Sequence, residues 1–141
     1  MKLLIVSGRS GSGKSTVLNL LEDHGYYCID NLPASLLPAL IERIDRESLD
    51  LSRVAVGIDA RNVSPDLKQV PKILEEMEKT RIETEVIFLD ANSHTLIKRF
   101  SENRRKHPLT GPTIGLREAI ERERQLLEPI AELAVLLLDT S

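Results

Sequence analysis

Short apolar runs alternate along the chain with longer segments in which apolar residues recur every three or four positions. The runs are Leu3–Val6, Tyr26–Ile29, Val54–Ile58, Val86–Leu89 and Val135–Leu138. Each is too short for a helix core and rich in aliphatic or β-branched residues, the pattern of a strand buried within a parallel sheet. Between them, Ser15–His24 carries Val17, Leu18, Leu20 and Leu21, and Gly25 is placed to end that helix in a left-handed conformation. Pro33–Arg46 shows Leu36, Leu37, Leu40, Ile41 and Ile44 at helical spacing, with Pro38 expected to distort it. Val70–Lys79 aligns Val70, Ile73, Leu74 and Met77 on one face. Ser93–Arg105 carries Leu96, Ile97 and Phe100 behind Asn92 or Ser93 as cap. Gly115–Ala134 carries Leu116, Ala119, Ile120, Leu127 and Ile130, with a break expected near Pro129. Asn62–Asp66 and His107–Thr113 contain Pro, Gly or Ser and read as loops. Strands alternating with helices predict an α/β domain built on a parallel sheet.

Composition narrows the function. A length of 141 residues is one ordinary domain. Aromatic residues make up 3% and Trp is absent, which argues against a base-stacking surface for single-stranded nucleic acid. With 19 Lys and Arg against 22 Asp and Glu the net charge is −3, so polyanion binding would need a local basic patch. Cys28 is the only cysteine, which excludes an internal disulfide or a cysteine zinc site and fits a reducing cytoplasm. The first ten residues hold too short an apolar stretch for a signal peptide or a membrane span.

Gly8-Arg9-Ser10-Gly11-Ser12-Gly13-Lys14-Ser15 matches G-x-x-x-x-G-K-[ST] at every fixed position, between a predicted strand and a predicted helix. Glycines let a backbone wrap closely around phosphates, and the helix N-terminus supplies fixed positive potential. Lys14 is placed to reach the β- and γ-phosphates and Ser15 to ligate Mg²⁺, so the predicted ligand is a nucleoside triphosphate, ATP or GTP. This makes the chain a P-loop NTPase domain of kinase-like topology, with sheet order 2-3-1-4-5. Four runs end in aspartate: Asp30, Asp59, Asp90 and Asp139. Parallel strands bring such residues to one ligand-binding edge, although Asp also starts turns and caps helices. Asp59 and Asp90 both fit the second metal partner. The strand order puts the third strand beside the first and favours Asp59, with Arg61 and Asn62 on the same rim.

Lys98–His107 carries five Lys or Arg against one Glu. It reads as a solvated helix face, as a lid whose Arg104 and Arg105 close over phosphates, or as a contact for RNA phosphates. Arg117, Arg122 and Arg124 alternate with Glu118, Glu121 and Glu123, the look of an ordinary charged helix face. Cys28 reads as a small core residue, and one of Tyr26 and Tyr27 as packed while the other faces the edge. His24, His94 and His107 lack metal-ligand spacing.

The motifs GRSGSGKS at Gly8–Ser15, YCIDNLP at Tyr27–Pro33, DARN at Asp59–Asn62 and RRKHPL at Arg104–Leu109 occur in the order and spacing of the RapZ-type nucleotide-binding proteins, the RNase adapter family. The chain resembles their N-terminal nucleotide-binding domain over its whole length. Ala60 stands where a larger aliphatic residue is expected. The resemblance implies binding and slow hydrolysis of ATP and GTP, with Gly8–Ser15 as phosphate loop and Asp59, Ala60, Arg61 and Asn62 as a second nucleotide-binding element. It also implies control of the decay of a small regulatory RNA that governs glucosamine-6-phosphate synthase, by presenting that RNA to an endoribonuclease. RNA binding and amino-sugar sensing belong mainly to a C-terminal module of the family, and a homo-oligomer to the full-length protein. Residues 1–141 are accordingly expected to be the N-terminal domain of a longer protein, in keeping with the stop after a strand at Asp139-Thr140-Ser141.

In this reading Ser15 and Asp59 hold the metal, Lys14 stabilises the transferring phosphoryl group, and Arg61, Arg104 or Arg105 assists. The rival is a small-molecule kinase of the nucleoside or shikimate kind, with Asp30 and Arg61 on an acceptor. A third reading is an RNA or protein adapter in which nucleotide is structural.

Overall fold

The computed structural model describes residues 2–9, 11–46, 53–58, 64–77, 82–103, 107, 109–110, 112 and 115–140. Strands β1 (Lys2–Gly8), β2 (Tyr27–Ile29), β3 (Arg53–Ile58), β4 (Glu83–Asp90) and β5 (Leu136–Asp139) form one sheet in the order β2-β3-β1-β4-β5. Every neighbouring pair is parallel. The expected strand order is therefore the observed one. Helices α1 (Lys14–Asp23), α2 (Leu37–Arg46), α3 (Ser64–Met77), α4 (Ser93–Asn103) and α5 (Leu116–Ala131) flank it.

The continuous apolar run of β1 is explained by burial on both faces. Leu3 and Ile5 point into a core with Val54, Val56, Val86 and Phe88, closed by Leu37 and Ile41 of α2, Val70 and Ile73 of α3, and Leu127 and Ile130 of α5. Leu4 and Val6 point the other way, into a core with Ala55, Leu89 and Leu18 of α1. Each of the buried Val, Leu, Ile and Phe side chains among these stabilises the fold by roughly 1.5–3 kcal/mol. A third cluster, Leu96 and Phe100 against Ile120, joins α4 to α5. Cys28 packs half-buried in the second core, its thiol donating to Leu18 O at 3.3 Å. Burial first, and Glu22 second, push its pKa above the ordinary thiol value, as befits a packing residue. Tyr26 packs there too, beneath the Arg53 guanidinium, and Tyr27 on the edge strand is exposed.

Local signals set the element ends, with some corrections. Helix α1 stops at Gly25, which has φ 89 as expected. Asn92 caps α4: the Thr95 N–H donates to its Oδ1 at 2.7 Å. The segment expected as one distorted helix from Pro33 divides into a 3₁₀ turn, Ala34–Leu36, and α2. Pro38 has no N–H to close a turn onto Ala34, so the α-helix starts with Pro38 in its first turn, where no donor is needed. Helix α3 starts at Ser64, not Val70, and takes in residues 64–66 of the expected loop. Ser64-Pro65 is itself a helix-start pair. Helix α5 runs through Pro129 to Ala131 without the expected break. That proline removes one donor near the C-terminus, toward Gln125, and the Glu132 N–H bonded to Glu128 O continues the turn. β5 is an edge strand, so Leu136 and Leu137, expected to be buried, are exposed.

Candidate functional site

Strand β1 delivers the glycine-rich loop to the carboxyl edge of the sheet, and α1 carries it away. The Ser7 hydroxyl donates to Ile58 O at 2.7 Å and ties the two central strands together just below the loop. Gly8 lies so close to β4 that a Cβ there would be 2.4 Å from Leu89 O. The loop tightens through a Ser12 N–H to Arg9 O bond of 3.0 Å. Gly13 then takes φ 99, a left-handed conformation, and α1 begins with no side-chain cap and no acidic residue in its first turn. The first N–H groups of a helix have no partner within it, so this uncapped start aims donors and the positive end of the dipole into the loop. Ser12 Oγ is buried without a hydrogen-bond partner among the described residues. Such a cradle, with a lysine beside it and an uncompensated helix start, fits a phosphate chain.

Lys14 leaves the first turn of α1 and crosses β3. Its Nζ lies 2.5 Å from Asp30 Oδ1, which also accepts the Asn31 N–H at 2.8 Å. Asn31 turns the chain with φ 57, and the Leu32 N–H returns to Gly57 O at 3.1 Å. The crossing is open only because residue 57 is glycine: a Cβ there would be 2.4 Å from Asp30 Oδ1 and 3.1 Å from Lys14 Nζ. Asp30 therefore belongs to the site through Lys14. The sequence set Asp30 at the ligand-binding edge and, in the kinase reading, on an acceptor, but neither its pairing with Lys14 nor the need for Gly57 was legible.

Arg9 lies in the loop, but its side chain points away. It is almost fully buried, with Nε 2.7 Å from Asp90 Oδ1, Nη1 3.3 Å from Ser93 Oγ and Nη2 2.5 Å from Ala91 O. The same Asp90 oxygen accepts the Ala91 N–H at 2.8 Å. Arg9 thus offers the loop its backbone, while Asp90 anchors the loop to β4. Asp139 stands beside Asp90 in the β4–β5 register. Ser15 is exposed on the first turn of α1. Ser10, Asp59, Ala60, Arg61, Asn62, Arg104 and Arg105 lie outside the described residues. Among the described residues no group of three His, Cys, Asp or Glu could hold a metal ion, and no helix is long and apolar enough to cross a membrane.

The basic run divides. Lys98 is solvated and 4.0 Å from Glu102 one turn on. Arg99 turns to the loop instead: Nη1 donates to Gly11 O at 2.8 Å and to Thr140 Oγ1 at 3.3 Å, and Nη2 donates to Thr140 O. His107 is fully buried against Phe100, with Nε2 3.2 Å from Glu123 Oε1 and Nδ1 accepting the Leu109 N–H at 3.1 Å. An imidazole whose Nδ1 accepts carries its proton on Nε2, so Nε2 donates to the carboxylate. This corrects the uniform charged face expected of α5. Glu118 and Arg122 do pair in solvent at 3.3 Å, but Glu123 is buried and holds His107. A cavity of about 400 Å³ lies between α5 and the β4–β5 edge, lined by Arg9, Asp90, Glu121, Arg124 and Leu137 among others, and neither Lys14 nor Asp30 lines it.

Comparison with known proteins fits this geometry. The model of the RapZ-like N-terminal domain matches residues 1–141. A protein of Pseudomonas aeruginosa strain LESB58 named "Nucleotide-binding protein" is 58% identical over 142 residues, covering all of this chain and 50% of that protein. A protein of the same name from Hahella chejuensis is 56% identical with the same coverage. The chain thus spans about half the length of the curated relatives it matches. Among solved structures, a gluconokinase from Sinorhizobium meliloti 1021 superposes with a TM-score of 0.61 at 20% identity, over 99% of this chain and 83% of that one. Shikimate kinase from Bacteroides thetaiotaomicron gives 0.58 at 15%, over 98% and 86%. These two similarities establish the P-loop kinase-like fold.

Proposed function

This chain belongs to the RapZ-like N-terminal domain family, and from that premise we propose that it binds a purine nucleoside triphosphate with Mg²⁺ at the loop between β1 and α1 and hydrolyses it slowly. The observation that carries the reading is the uncapped, glycine-turned start of α1 with the Lys14 ammonium beside it. The backbone of Gly8–Ser15 would wrap the phosphates, Lys14 would hold the terminal ones, and Ser15 with Asp59 would hold the metal. Bound Mg²⁺ would neutralise charge on the phosphoryl oxygens. Asp59 follows directly on Ile58 at the end of β3, the strand paired with β1, which supports it over Asp90, an oxygen of which already takes Arg9 and Ala91. Ala60, Arg61 and Asn62 would continue the site, and Arg104 and Arg105, between α4 and His107, would close over it. The sequence offers no compelling residue to position water, so turnover would be slow and would suit a switch.

In the full-length protein, nucleotide state at this domain would regulate an RNase adapter that presents a small regulatory RNA to an endoribonuclease in the cytoplasm, with RNA contacts mainly in the C-terminal module. A small-molecule kinase is the second reading, favoured by the Asp30 carboxylate beside Lys14, where an acceptor hydroxyl could be held.

Two experiments decide. ATP or GTP with Mg²⁺ at about a hundred times Kd should stabilise the wild type by about 2.7 kcal/mol, and Lys14→Ala should abolish that gain. Undiminished stabilisation of the variant would remove the site. Product analysis separates the readings, because a kinase phosphorylates an added acceptor whereas an NTPase releases inorganic phosphate without one.

A further inference from the structure

Two residues far from the phosphate-loop motif grip its carbonyls from outside. The Thr140 hydroxyl donates to Ser12 O at 2.7 Å, across 128 positions of sequence. Arg99 Nη1 donates to Gly11 O at 2.8 Å, across 88 positions. The two also hold each other, since the Arg99 guanidinium donates to both oxygens of Thr140. Thr140 in turn is fixed to β4 by its own N–H on Asp90 O at 2.8 Å. Nothing in the motif predicts these contacts, and Arg99 could have been spent on solvent like Lys98.

The consequence follows from peptide geometry. The C=O and N–H of a trans peptide point in opposite directions. Pulling Ser12 O toward Thr140 turns the Gly13 N–H away from β5. Pulling Gly11 O toward Arg99 turns the Ser12 N–H inward, where it meets Arg9 O at 3.0 Å and closes the turn. The glycines at 11 and 13, with φ 86 and 99, would otherwise leave these peptides free to rotate.

We propose that Arg99 and Thr140 are positioning residues of the phosphate loop: by holding the Gly11 and Ser12 carbonyls outward they preset the loop N–H groups for a triphosphate, so that nucleotide affinity depends on how the exit of β5 is seated. This rests on the nucleotide-binding reading above. Its physical basis is preorganisation. Fixing one residue's backbone costs roughly 1–2 kcal/mol, so a loop that must order a residue or two on binding loses about tenfold or more in affinity.

The test compares Thr140→Val, Thr140→Ser, Arg99→Ala and Arg99→Lys in the 141-residue chain. Valine keeps the shape of threonine and its backbone N–H but loses the hydroxyl. It should weaken binding of a non-hydrolysable ATP or GTP analogue with Mg²⁺ by about tenfold, while serine restores wild-type affinity. Arg99→Ala should weaken binding at least as much, and Arg99→Lys, with one nitrogen for two partners, should fall between. Thermal midpoints without nucleotide should stay close to wild type for the Thr140 pair, which keeps the test open if Arg99→Ala folds poorly. Hydrogen exchange at the Ser12 amide of the ligand-free chain, which donates to Arg9 O, should accelerate in Thr140→Val and not in Thr140→Ser. Equal affinity and equal exchange for Thr140→Val and wild type would overturn the proposal. A wild type that binds no nucleotide would overturn the nucleotide reading instead, and the ligand-free exchange would still decide whether the brace holds the loop.

Discussion

A single methyl group on β3 tests the seating of Lys14. In Gly57→Ala the new Cβ would lie 2.4 Å from Asp30 Oδ1, 3.0 Å from Leu18 Cδ1 and 3.1 Å from Lys14 Nζ. The first of these is roughly 1 Å inside an ordinary carbon–oxygen contact. Asp30 Oδ1 ends a side chain that is 40% exposed, but swinging it aside gives up the Asn31 N–H and Lys14 Nζ that it holds. Leu18, on the buried face of α1, has little room to yield. Overpacking on this scale costs about 1–3 kcal/mol. Displacing the Lys14–Asp30 pair adds at most about 1 kcal/mol, since the Asp30 side chain is 40% exposed. Replacing glycine returns about 0.5–1 kcal/mol through the unfolded chain. The balance is a loss of about 2 kcal/mol, which for a domain of this size lowers Tm by about 6 °C. Calorimetry with and without Mg²⁺ and nucleotide should show that fall together with weaker binding, because the ammonium is pushed off its seat. Asp30→Ala should relieve much of the collision, so a double-mutant cycle should return a coupling of about 1 kcal/mol or more. Gly57→Ala melting within about 1 °C of wild type, or a coupling near zero, would refute the crossing of Lys14 over β3.

Asn92→Ala removes the 2.7 Å cap of α4 and should lower stability by about 1 kcal/mol, while Asn92→Asp retains it; indistinguishable urea midpoints for the alanine variant and wild type would deny the cap a role. Glu123→Ala strips the buried His107 Nε2–H of its acceptor and should cost about 1–3 kcal/mol, whereas Glu123→Gln keeps an acceptor oxygen and should recover most of that. An alanine variant as stable as the glutamine variant would show that Glu123 does not anchor His107.

Much of the fold was legible because its signals are local. All five apolar runs became strands, and the central strands β1 and β3, buried by their neighbours almost throughout, show why continuity rather than alternation was the right cue. The miss at β5 has the same origin: the run reads as a buried strand, but burial depends on position in the sheet, and β5 is at the edge. Pro38 marks the change from the 3₁₀ turn to α2, in a first turn where no donor is needed, whereas Pro129 was overrated as a breaker: it costs one bond in the last turn, and the Glu132 N–H on Glu128 O carries the helix past it.

By itself the sequence determined the phosphate loop, since glycine spacing and the helix start that follows it are consequences of a few adjacent residues. It determined the alternation of strands and helices and, by resemblance, the family. Only the tertiary structure decided where the charges go. Arg9 turns from the loop to Asp90, Lys14 reaches over Gly57 to Asp30, Arg99 and Thr140 hold the loop from outside, and Glu123 leaves a charged face to meet His107. The physical reason is reach. These contacts join residues 16 to 128 positions apart. A side chain's charge is written in the chain, but its partner is chosen by the packing that brings strand ends, helix starts and loops to one edge.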